Sequence, residues 1–562
     1  MNDHAAAADG LRFPGSALFR KRPGWLSVTA IVLAILIALP VLVVVLHIFV
    51  PGQGTWRHLA ATVLPDYVRN SLALMLGVAF GVMVGGVSTA WLTTMCRFPG
   101  RRVFEWALLL PMAVPAYVMA YTYTDLLQFA GPVQGALREA MGWGPRDYWF
   151  PDVRSLGGAM VMLSLVLYPY VYLLSRAAFL EQSDSMLEMA RVSGYGAWGT
   201  FVHVALPLAR PGIVAGSALA LMETLADFGT VAYFGVQTFT TGIYHVWFSL
   251  GDHVAAAQLS AALLGFVFAV LLIERITRAR AGFHTTSHRK RLRNVYQLRG
   301  WRAFAAVTVC LAPLLLGFLL PAGILLHMAL TSGDAQFGAR YVELTRNTVT
   351  LAAITATLAV VLALLAGYAA RSSVNHMVRA ANRIAGLGYA VPGAVIAVGV
   401  LIPVTRLDHV LAEWIESVTG ASPGLLLTGS IAALVYAYLV RFFAVALQST
   451  EAGLTKITIS MDYAARSLGL GPAATLRRVH APLLWRSALT AALLVFVDVM
   501  KELPATLVMR PFNFDTLAVQ AFNLASDERL TEASTAALTI VAVGLLPLLV
   551  LSRMMLGQRQ SA

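Results

Sequence analysis

The sequence contains little charge and almost no cysteine. Only 12% of its 562 residues are Asp, Glu, Lys or Arg, whereas a soluble domain of ordinary composition carries about a quarter. The two cysteines, Cys96 and Cys310, are too few for a disulfide framework or for a cysteine-rich zinc site. These two shortages exclude an ordinary soluble domain and a disulfide-stabilised secreted domain.

Sequence signatures of nucleotide and metal chemistry are also missing. There is no Gly-x-x-x-x-Gly-Lys-Ser/Thr sequence and not even a Gly-Lys pair, so the chain has no phosphate-binding loop of its own. There is no His-Glu-x-x-His sequence and no metal-spaced Cys/His cluster. We therefore expect no catalytic residue, no bound cofactor and no firmly assigned metal in this chain. If the protein depends on ATP, a partner chain must hydrolyse it.

Long hydrophobic runs, by contrast, recur along the whole chain. Hydrophobic residues make up 58% of the sequence, and the mean hydropathy is +0.72. Runs of about 18 or more apolar residues can cross a bilayer core roughly 30 Å thick. The sequence therefore predicts an all-α polytopic membrane protein with about twelve spans. They are 25–50, 71–95, 104–126, 156–178, 209–232, 255–274, 303–328, 348–370, 384–405, 424–447, 486–508 and 534–553.

Basic residues lie mainly at the ends of these runs. The net charge of +13 would suggest nucleic acid in a soluble protein, but here it fits the rule that cytoplasmic loops of membrane proteins are rich in Lys and Arg. The segment 275–302 alone has nine basic residues and no acidic one. We predict a multi-pass protein of the bacterial inner membrane, in contact with lipid and not with nucleic acid, with both termini cytoplasmic.

The chain divides into two repeats. We expect a cytoplasmic tail at 1–24, a first repeat at 25–274 that opens with an uncleaved span, and a basic cytoplasmic linker at 275–302. A second repeat at 303–553 and a short tail at 554–562 complete the chain. Six spans in each repeat give the two copies the same orientation in the membrane, related by an axis along its normal.

A spaced motif supports the repeat. The first copy is Glu188-Met189-Ala190, Gly194, Val204 and Leu206-Pro207, and the second is Tyr463-Ala464-Ala465, Gly469, Val479 and Ala481-Pro482. Spacings inside the copies agree, and both copies lie in polar loops, 179–208 and 448–485. Outside the loops, Arg69-Asn70 matches Arg346-Asn347, and Val114-Pro115 matches Val391-Pro392. The equivalent loops should therefore lie on one face of the membrane.

Each polar loop has the pattern of a short helix, a turn and a second helix. Gly194 and Gly469 can adopt the positive φ that ends a helix. Pro207 and Pro482 suit the first turn of the next helix, where no backbone donor is needed. We also interpret His203 and His480 as equivalent residues ahead of these prolines that contact lipid headgroups or neighbouring loops and bind no metal.

One pair of carboxylates lies within or near the fifth span of each repeat. Glu223 and Asp227 in the first half align with Asp498 and Glu502 in the second. A spacing of four residues places both members of a pair on one face of a helix. Because charge is costly at this depth, the four residues are candidates for lining a translocation pathway. The alternative is structural pairing, for example of Lys501 with Asp498 and of Arg510 with Asp515.

The two polar loops resemble the coupling loops of binding-protein-dependent ABC importer permeases. In that family the pattern is Glu-Ala-Ala, three residues, Gly, nine residues, Ile, one residue and Leu-Pro. The resemblance implies the type I importer permease fold and docking of the loops onto two copies of an ATPase subunit. Tyr463 departs from the pattern, since it replaces the Glu while Asp462 stands one position earlier. The residues implied to contact the ATPase are Glu188, Ala190, Gly194, Leu206, Pro207, Asp462, Ala464, Ala465, Gly469 and Pro482.

Strings after the second coupling loop resemble ferric-iron importer permeases, which are also fused twelve-span chains. They are Lys501-Glu-Leu-Pro-Ala-Thr506 and Arg510-Pro-Phe-Asn-Phe-Asp-Thr-Leu-Ala518. The resemblance implies transport of ferric iron from a periplasmic binding protein, and carboxylates are suitable ligands for a hard cation. Thiamine, a polyamine or a phosphonate remain alternative cargoes. An ion-driven secondary transporter and a membrane scaffold without transport activity are more distant alternatives.

Overall fold

The computed structural model describes residues 25–52, 54–182, 184–279, 296–331, 338–373 and 375–560. The predicted N-terminal tail and positions 280–295 of the predicted linker lie outside these residues. The described helices of the first half are α1 (Trp25–Leu46), α2 (Thr55–Thr62), α3 (Leu64–Met95), α4 (Arg101–Ala107), α5 (Ala116–Leu127), α6 (Pro132–Met141), α7 (Leu156–Glu181), α8 (Asp184–Val192), α9 (Ala197–Thr200), α10 (Leu206–Ala226), α11 (Gly229–Tyr233), α12 (Phe239–Phe248) and α13 (His253–Ala279).

The second half repeats this order, apart from the two short helices α2 and α6. Its described helices are α14 (Trp301–Leu314), α15 (Leu320–Thr331), α16 (Ala339–Ser372), α17 (His376–Ala385), α18 (Gly393–Thr419), α19 (Ile431–Leu454), α20 (Ile459–Ser467), α21 (Pro472–Thr475), α22 (Ala481–Met500), α23 (Pro504–Met509), α24 (Leu517–Ser526) and α25 (Leu530–Gln560). Apart from α6, helices α3 to α13 therefore have counterparts in α16 to α25.

The described helices are long and apolar enough for a polytopic membrane protein. Eleven of them could cross a bilayer, and the number becomes twelve if the bent pair Arg101–Ala113 and Ala116–Met141 counts as one span. The predicted fold class and approximate number of spans are confirmed. The structure corrects the bounds of several spans, and some of these corrections lie next to the predicted carboxylates.

The third span of each half is broken where a single helix was predicted. In the first half the two parts of the predicted span 104–126 meet at 90°. Pro115 lies in extended backbone, and α5 begins at the next residue. In the second half the predicted span 384–405 is interrupted in the same way, and α18 begins directly after Pro392. A proline lacks the N–H that helix continuation needs and restricts the residue before it, which explains both breaks.

The fifth span of each half ends earlier than predicted. The predicted spans 209–232 and 486–508 stop as helices at Ala226 and Met500. After each stop the chain turns and starts a short helix, α11 or α23. These short helices and the following α12 and α24 lie between the fifth and sixth spans of their halves. The turns bring polar backbone into the interior of the protein, where the carboxylates described below satisfy it.

Glycines bring α3 close to α7 in the first half. A Cβ atom at Gly81 would lie 2.3 Å from Ser164 Oγ, and one at Gly77 would lie 2.4 Å from Met160 Sδ. The four-residue spacing of these glycines therefore allows close contact between the two helices. In the second half α16 packs against α19 and α22.

The first helix of each half packs on the other half. Helix α1 lies against α16, α17 and α18, and a Cβ atom at Gly399 would lie 2.4 Å from the carbonyl oxygen of Pro40. In return, α14 contacts α3 and α4, and the Tyr123 hydroxyl in α5 donates to the carbonyl of Leu316, 2.6 Å away. The two bundles therefore exchange their first helices across the boundary between the halves.

The end of the linker pairs with the first half. Strand β1 (Cys96–Arg97) and strand β2 (Tyr296–Gln297) form a short parallel pair, with Cys96 opposite Tyr296. The ring of Trp91 lies 6.4 Å from that of Tyr296 and 4.8 Å from that of Phe201, measured between centroids. The end of the linker and the first coupling loop thus lie on one face of the protein.

Candidate functional site

A cavity of about 130 Å³ lies where the two halves meet. All four sequence-predicted carboxylates line it, together with two cations that both belong to the second half. Since four carboxylates face two cations, the formal charge of these side chains is −2. The charged lining residues are Glu223, Asp227, Asp498, Glu502, Arg441 and Lys501.

Arg441 connects carboxylates from the two halves. It lies on α19, and only 8% of its surface is exposed. Its Nη2 is 3.6 Å from an Oε2 of Glu223 in the first half, and its Nη1 is 3.2 Å from Oε1 of Glu502 in the second. A charge at this depth requires such partners. The guanidinium therefore forms an ionic link across the boundary between the halves.

The second cation is paired within its own segment. Lys501 Nζ lies 2.9 Å from Oδ1 of Asp498, three residues earlier at the end of α22. Farther along the chain, Arg510 is paired with Asp515. Both pairs are the structural pairings considered from the sequence. Lining the cavity and pairing are thus not exclusive, because Asp498 does both.

The four-residue spacing suggested that Asp227 shares a helical face with Glu223, and Glu502 with Asp498. The structure shows a different arrangement. Asp227 is the first residue beyond α10, and its backbone is extended. Its carboxylate accepts hydrogen bonds from the N–H groups of Thr230 and Val231, each at 3.1 Å. It is thus oriented by the start of α11. The prediction assumed a continuous helix, but α10 ends at Ala226, one residue before Asp227.

Glu502 makes the equivalent contacts in the second half. Its carboxylate accepts hydrogen bonds from the N–H groups of Ala505 and Thr506 at 3.0 and 3.1 Å. The Thr506 hydroxyl donates to it as well, at 2.8 Å. Hydrogen bonds to a carboxylate at the beginning of a helix are favourable. Glu502 therefore fixes α23 while its Oε1 also faces Arg441.

Gly393 leaves room for the pair of Arg441 and Glu502. A Cβ atom at this position would lie 2.6 Å from Oε1 of Glu502 and 2.8 Å from Nη1 of Arg441. The equivalent residue of the first half, directly after Pro115, is Ala116. The first half has no arginine at the matching site, so it can accept the methyl group.

Sequence reasoning missed part of the cavity lining. Arg441 stands inside the predicted span 424–447, and an ionisable residue in an apolar span is itself a signal of function. The aromatic residues Tyr170, Tyr389 and Tyr117 also line the cavity, but their place could not be read from the sequence. In the part of the chain that the structure describes, no three His, Cys, Asp or Glu side chains are grouped closely enough to hold a metal ion.

The first coupling loop has the predicted helix–turn–helix form. Helices α8 and α9 are separated by Gly194, whose φ is +83°. Glu188 is exposed, whereas Ala190 is buried against the rest of the protein. Leu206 is the first residue of α10, which continues directly from the π-helical turn Phe201–Ala205, and Pro207 follows it.

The second coupling loop has the same form. Gly469, with φ of +78°, separates α20 from α21. Ala464 is exposed and Ala465 is buried, and Pro482 occupies the first turn of α22. The backbone of the loop thus matches that of the first half, although the residue at the Glu188 position is Tyr463.

Asp462 is held inside the second loop. Its Oδ2 lies 2.9 Å from Nε of Arg371, and its Oδ1 lies 2.5 Å from Nε2 of His480. Arg371 also donates to the carbonyl groups of Leu454 and Ile457. The carboxylate therefore connects α20 to the end of α16 and to the turn before α22. The exposed acidic group that Glu188 presents has no counterpart at Asp462.

The proposed equivalence of His203 and His480 is wrong. His480 is fully buried between Asp462 and the ring of Tyr368. His203 is exposed and stacks on Tyr195. The turns that contain them end at Ala205 and His480, so His480 corresponds to Ala205.

Apolar side chains are exposed on both coupling loops. In the first loop the exposed fraction is 89% for Val192 and 75% for Trp198. In the second it is 64% for Ile459 and 81% for Leu468. Exposed apolar residues grouped in a polar loop are typical of a surface that binds a partner protein.

Comparison with known proteins gives the chain a family. Residues 15–281 match the family described as "Binding-protein-dependent transport system inner membrane component". The chain is 24% identical over 542 residues to the Fe(3+)-transport system permease protein FbpB 2 of Haemophilus influenzae, which covers 95% of this chain and 99% of that protein.

Other relatives match one or both halves. The molybdenum transport system permease protein ModB of Escherichia coli is 31% identical over 225 residues, which are 38% of this chain and 92% of that protein. The putative ferric transport system permease protein FbpB 1 of Haemophilus influenzae is 22% identical over 504 residues, covering 84% of this chain and 75% of that protein. With this similarity, two parallel repeats and paired coupling loops, the chain belongs to the binding-protein-dependent transport system inner membrane components, the permease subunits of ABC importers.

Proposed function

We propose that this permease moves ferric iron from a soluble periplasmic binding protein into the cytoplasm. The observation that carries the proposal is the excess of carboxylates in the cavity between the halves. Fe³⁺ is a hard cation, for which carboxylate and phenol oxygens are suitable ligands. The relative FbpB 2, named for Fe(3+) transport, aligns along 95% of the chain, which supports the same cargo.

In this proposal Glu223, Asp227, Asp498 and Glu502 line the translocation pathway. They line the cavity between the halves, and all four contact a cation or a helix start. The contact of Glu223 with Arg441 joins the two halves, so it can change when the halves move. Iron would pass between them without tight ligation. Release into the cytoplasm requires weak binding along the route, so the tight site belongs to the binding protein.

The coupling loops would each bind one copy of an ATPase subunit, which hydrolyses the ATP. Glu188 and the exposed Val192 and Trp198 give the first loop a charged and apolar docking surface. Ala190, Gly194, Leu206 and Pro207 shape it, as Ala464, Ala465, Gly469 and Pro482 shape the second. Asp462 would act indirectly, through its contacts with Arg371 and with His480 of the second loop. Nucleotide-dependent closure of the ATPases must favour one permease state by several kcal/mol to reverse its population.

Both termini and both coupling loops would then be cytoplasmic. The start of α1 supports a common face, because Leu26 belongs to the same apolar cluster as Leu476 of the second loop. The rule that cytoplasmic segments are basic supports the direction.

Reconstitution tests the proposal. The complex of permease, ATPase and binding protein in liposomes should take up ⁵⁵Fe³⁺ with ATP and not without it. Molybdate is the second cargo to compare, because ModB is named for molybdenum transport and because Arg441 and Lys501 could attract an oxyanion. Uptake of molybdate in place of iron would overturn the cargo assignment, and uptake of either without an ATPase would overturn the mechanism.

A further inference from the structure

Arg441 has no charged counterpart in the first half. Helices α7 and α19 are equivalent, and the 275-residue offset that aligns Asp227 with Glu502 aligns Val166 with Arg441. Val166 also lines the cavity, so both halves direct the equivalent residue to the same space. One half thus contributes an apolar side chain there and the other contributes a guanidinium.

The surroundings of Arg441 are adapted to a charged pair. The pair with Glu502 fits only because Gly393 lacks a side chain, whereas the first half has Ala116 there. Arg441 Nε, by contrast, is buried and has no hydrogen-bond partner among the residues that the structure describes. The guanidinium is therefore held by its two carboxylates through Nη1 and Nη2, while its third nitrogen remains unsatisfied. An unsatisfied buried donor is energetically costly, so the ion pairs of Arg441 with its two carboxylates are easier to break.

We propose that Arg441 is an internal counter-cation that competes with the cationic cargo for Glu223 and Glu502 and so determines how weakly the cavity holds it. The inference rests on the proposed transport of ferric iron. A trivalent cation bound by these two carboxylates would need the oxygen atoms that Arg441 now contacts at 3.6 and 3.2 Å. The two positive charges would repel each other strongly in this buried site, so Arg441 must withdraw when the cation enters.

This exchange would serve transport in two ways. While the cavity is empty, Arg441 compensates the carboxylates and joins the two halves. When cargo is present, the return of Arg441 to its carboxylates favours release of the cargo. Lys501 is less suited to this role, because its partner Asp498 lies only three residues earlier in the same half and the pair does not connect the halves.

Binding of Tb³⁺ to the purified complex of permease and ATPase, without binding protein, tests the inference. Tb³⁺ is a hard trivalent probe, and the tyrosines that line the cavity can sensitise its luminescence. Arg441→Gln removes a nearby positive charge that repels Tb³⁺, so it should tighten Tb³⁺ binding by about tenfold or more. Arg441→Lys should bind the ion much as the original protein does. Adding Glu223→Gln to Arg441→Gln should remove most of the gain.

Matched controls separate this effect from changes elsewhere. Arg486→Gln removes an exposed arginine of α22 outside the cavity and should leave Tb³⁺ affinity unchanged. If Arg441→Gln is poorly folded, the comparison of Arg441→Lys with Glu223→Gln remains, and only Glu223→Gln should weaken binding. Equal affinity in the original protein and Arg441→Gln would overturn the inference, even if ⁵⁵Fe³⁺ uptake proved the cargo. Absence of iron uptake together with tighter Tb³⁺ binding would instead overturn the proposed cargo.

Discussion

Asp227 and Glu502 hold equivalent positions in the two halves and make the same kind of contact. Each carboxylate follows the fifth span and accepts hydrogen bonds from the backbone N–H groups three and four residues farther along. They differ in their ion pairs, since Glu502 also pairs with Arg441, whereas no cation in the described part of the chain pairs with Asp227. The two halves therefore share a helix start but not its electrostatic surroundings.

The difference predicts unequal costs of mutation. Glu502→Ala should lower the free energy of unfolding by about 3–5 kcal/mol, because it leaves a buried arginine with only its longer pair to Glu223. Asp227→Ala should cost about 1–3 kcal/mol, the loss of hydrogen bonds to a buried carboxylate. Unfolding of the detergent-solubilised protein measures both. Equal costs would show that Arg441 does not depend on Glu502.

Gly393 provides a steric test of the charged pair. In Gly393→Ala the new methyl group would meet Glu502 and Arg441 at 2.6 and 2.8 Å. The pair must shift, and we expect a loss of about 1–3 kcal/mol of stability, typical of overpacking, with slower iron uptake. Ala116→Gly is the matched control in the other half and should cost about 1 kcal/mol or less. A neutral effect of Gly393→Ala would show that the pair is adaptable.

The first coupling loop should bind its ATPase through its exposed apolar residues. We expect Val192→Asp to weaken co-purification of the ATPase by roughly tenfold or more, because it places a charge in an interface. Glu188→Gln should have a smaller effect. The control is Val342→Asp, which changes an exposed valine near the opposite end of α16 from the coupling loops. Unchanged binding in Val192→Asp would show that this surface is not the docking site.

Asp462 should stabilise the second loop internally. Asp462→Asn removes the charge that Arg371 and His480 contact, so residues 459–480 should exchange their backbone hydrogens faster, by a local free energy of about 1–3 kcal/mol. ATP-driven uptake should fall while the first loop keeps its protection. Hydrogen exchange followed by mass spectrometry measures the change for each loop separately, with Glu188→Gln as a variant that should alter neither. Equal exchange rates of the second loop in Asp462→Asn and in the original protein would contradict the proposed stabilising role of Asp462.

Cysteine labelling tests the common face of the two loops. Burial raises the pKa of the Cys96 thiol to about 11. At pH 7 its reactive thiolate is therefore scarce, and labelling should become faster only as the pH rises towards 11. Ser193→Cys and Ser467→Cys place exposed thiols in the first and second loops. An impermeant reagent should modify both from the cytoplasmic side of inverted vesicles, and modification from opposite sides would refute the parallel repeat.

The sequence predicted the parts of the fold that depend on periodicity and spacing. Long apolar runs identified the spans, and the matched positions of Gly194 and Gly469 predicted two turns that the structure shows with positive φ. These features are local, because a glycine turn or an apolar run requires few distant contacts. The family resemblance was recognisable for the same reason.

Features that depend on packing between distant segments were not predicted. The early ends of α10 and α22 result from carboxylates that orient the next helix, and a hydropathy pattern contains no such signal. The contact of Arg441 with Glu223 joins residues more than 200 positions apart. His203 and His480 were treated as equivalent although they precede Pro207 and Pro482 by four and two residues, respectively. The burial of His480 corrected this error.

The exchange of α1 and α14 between the bundles limits how the halves can move. If the halves rotate apart, α1 must travel with the second half while the loop after it remains joined to the first. The motions of the two halves are therefore coupled, because each bundle moves together with a helix that belongs to the other half of the sequence. A movement of one coupling loop should therefore displace helices on both sides of the pathway. Both halves should then change conformation together, even when an ATPase subunit is bound to only one loop.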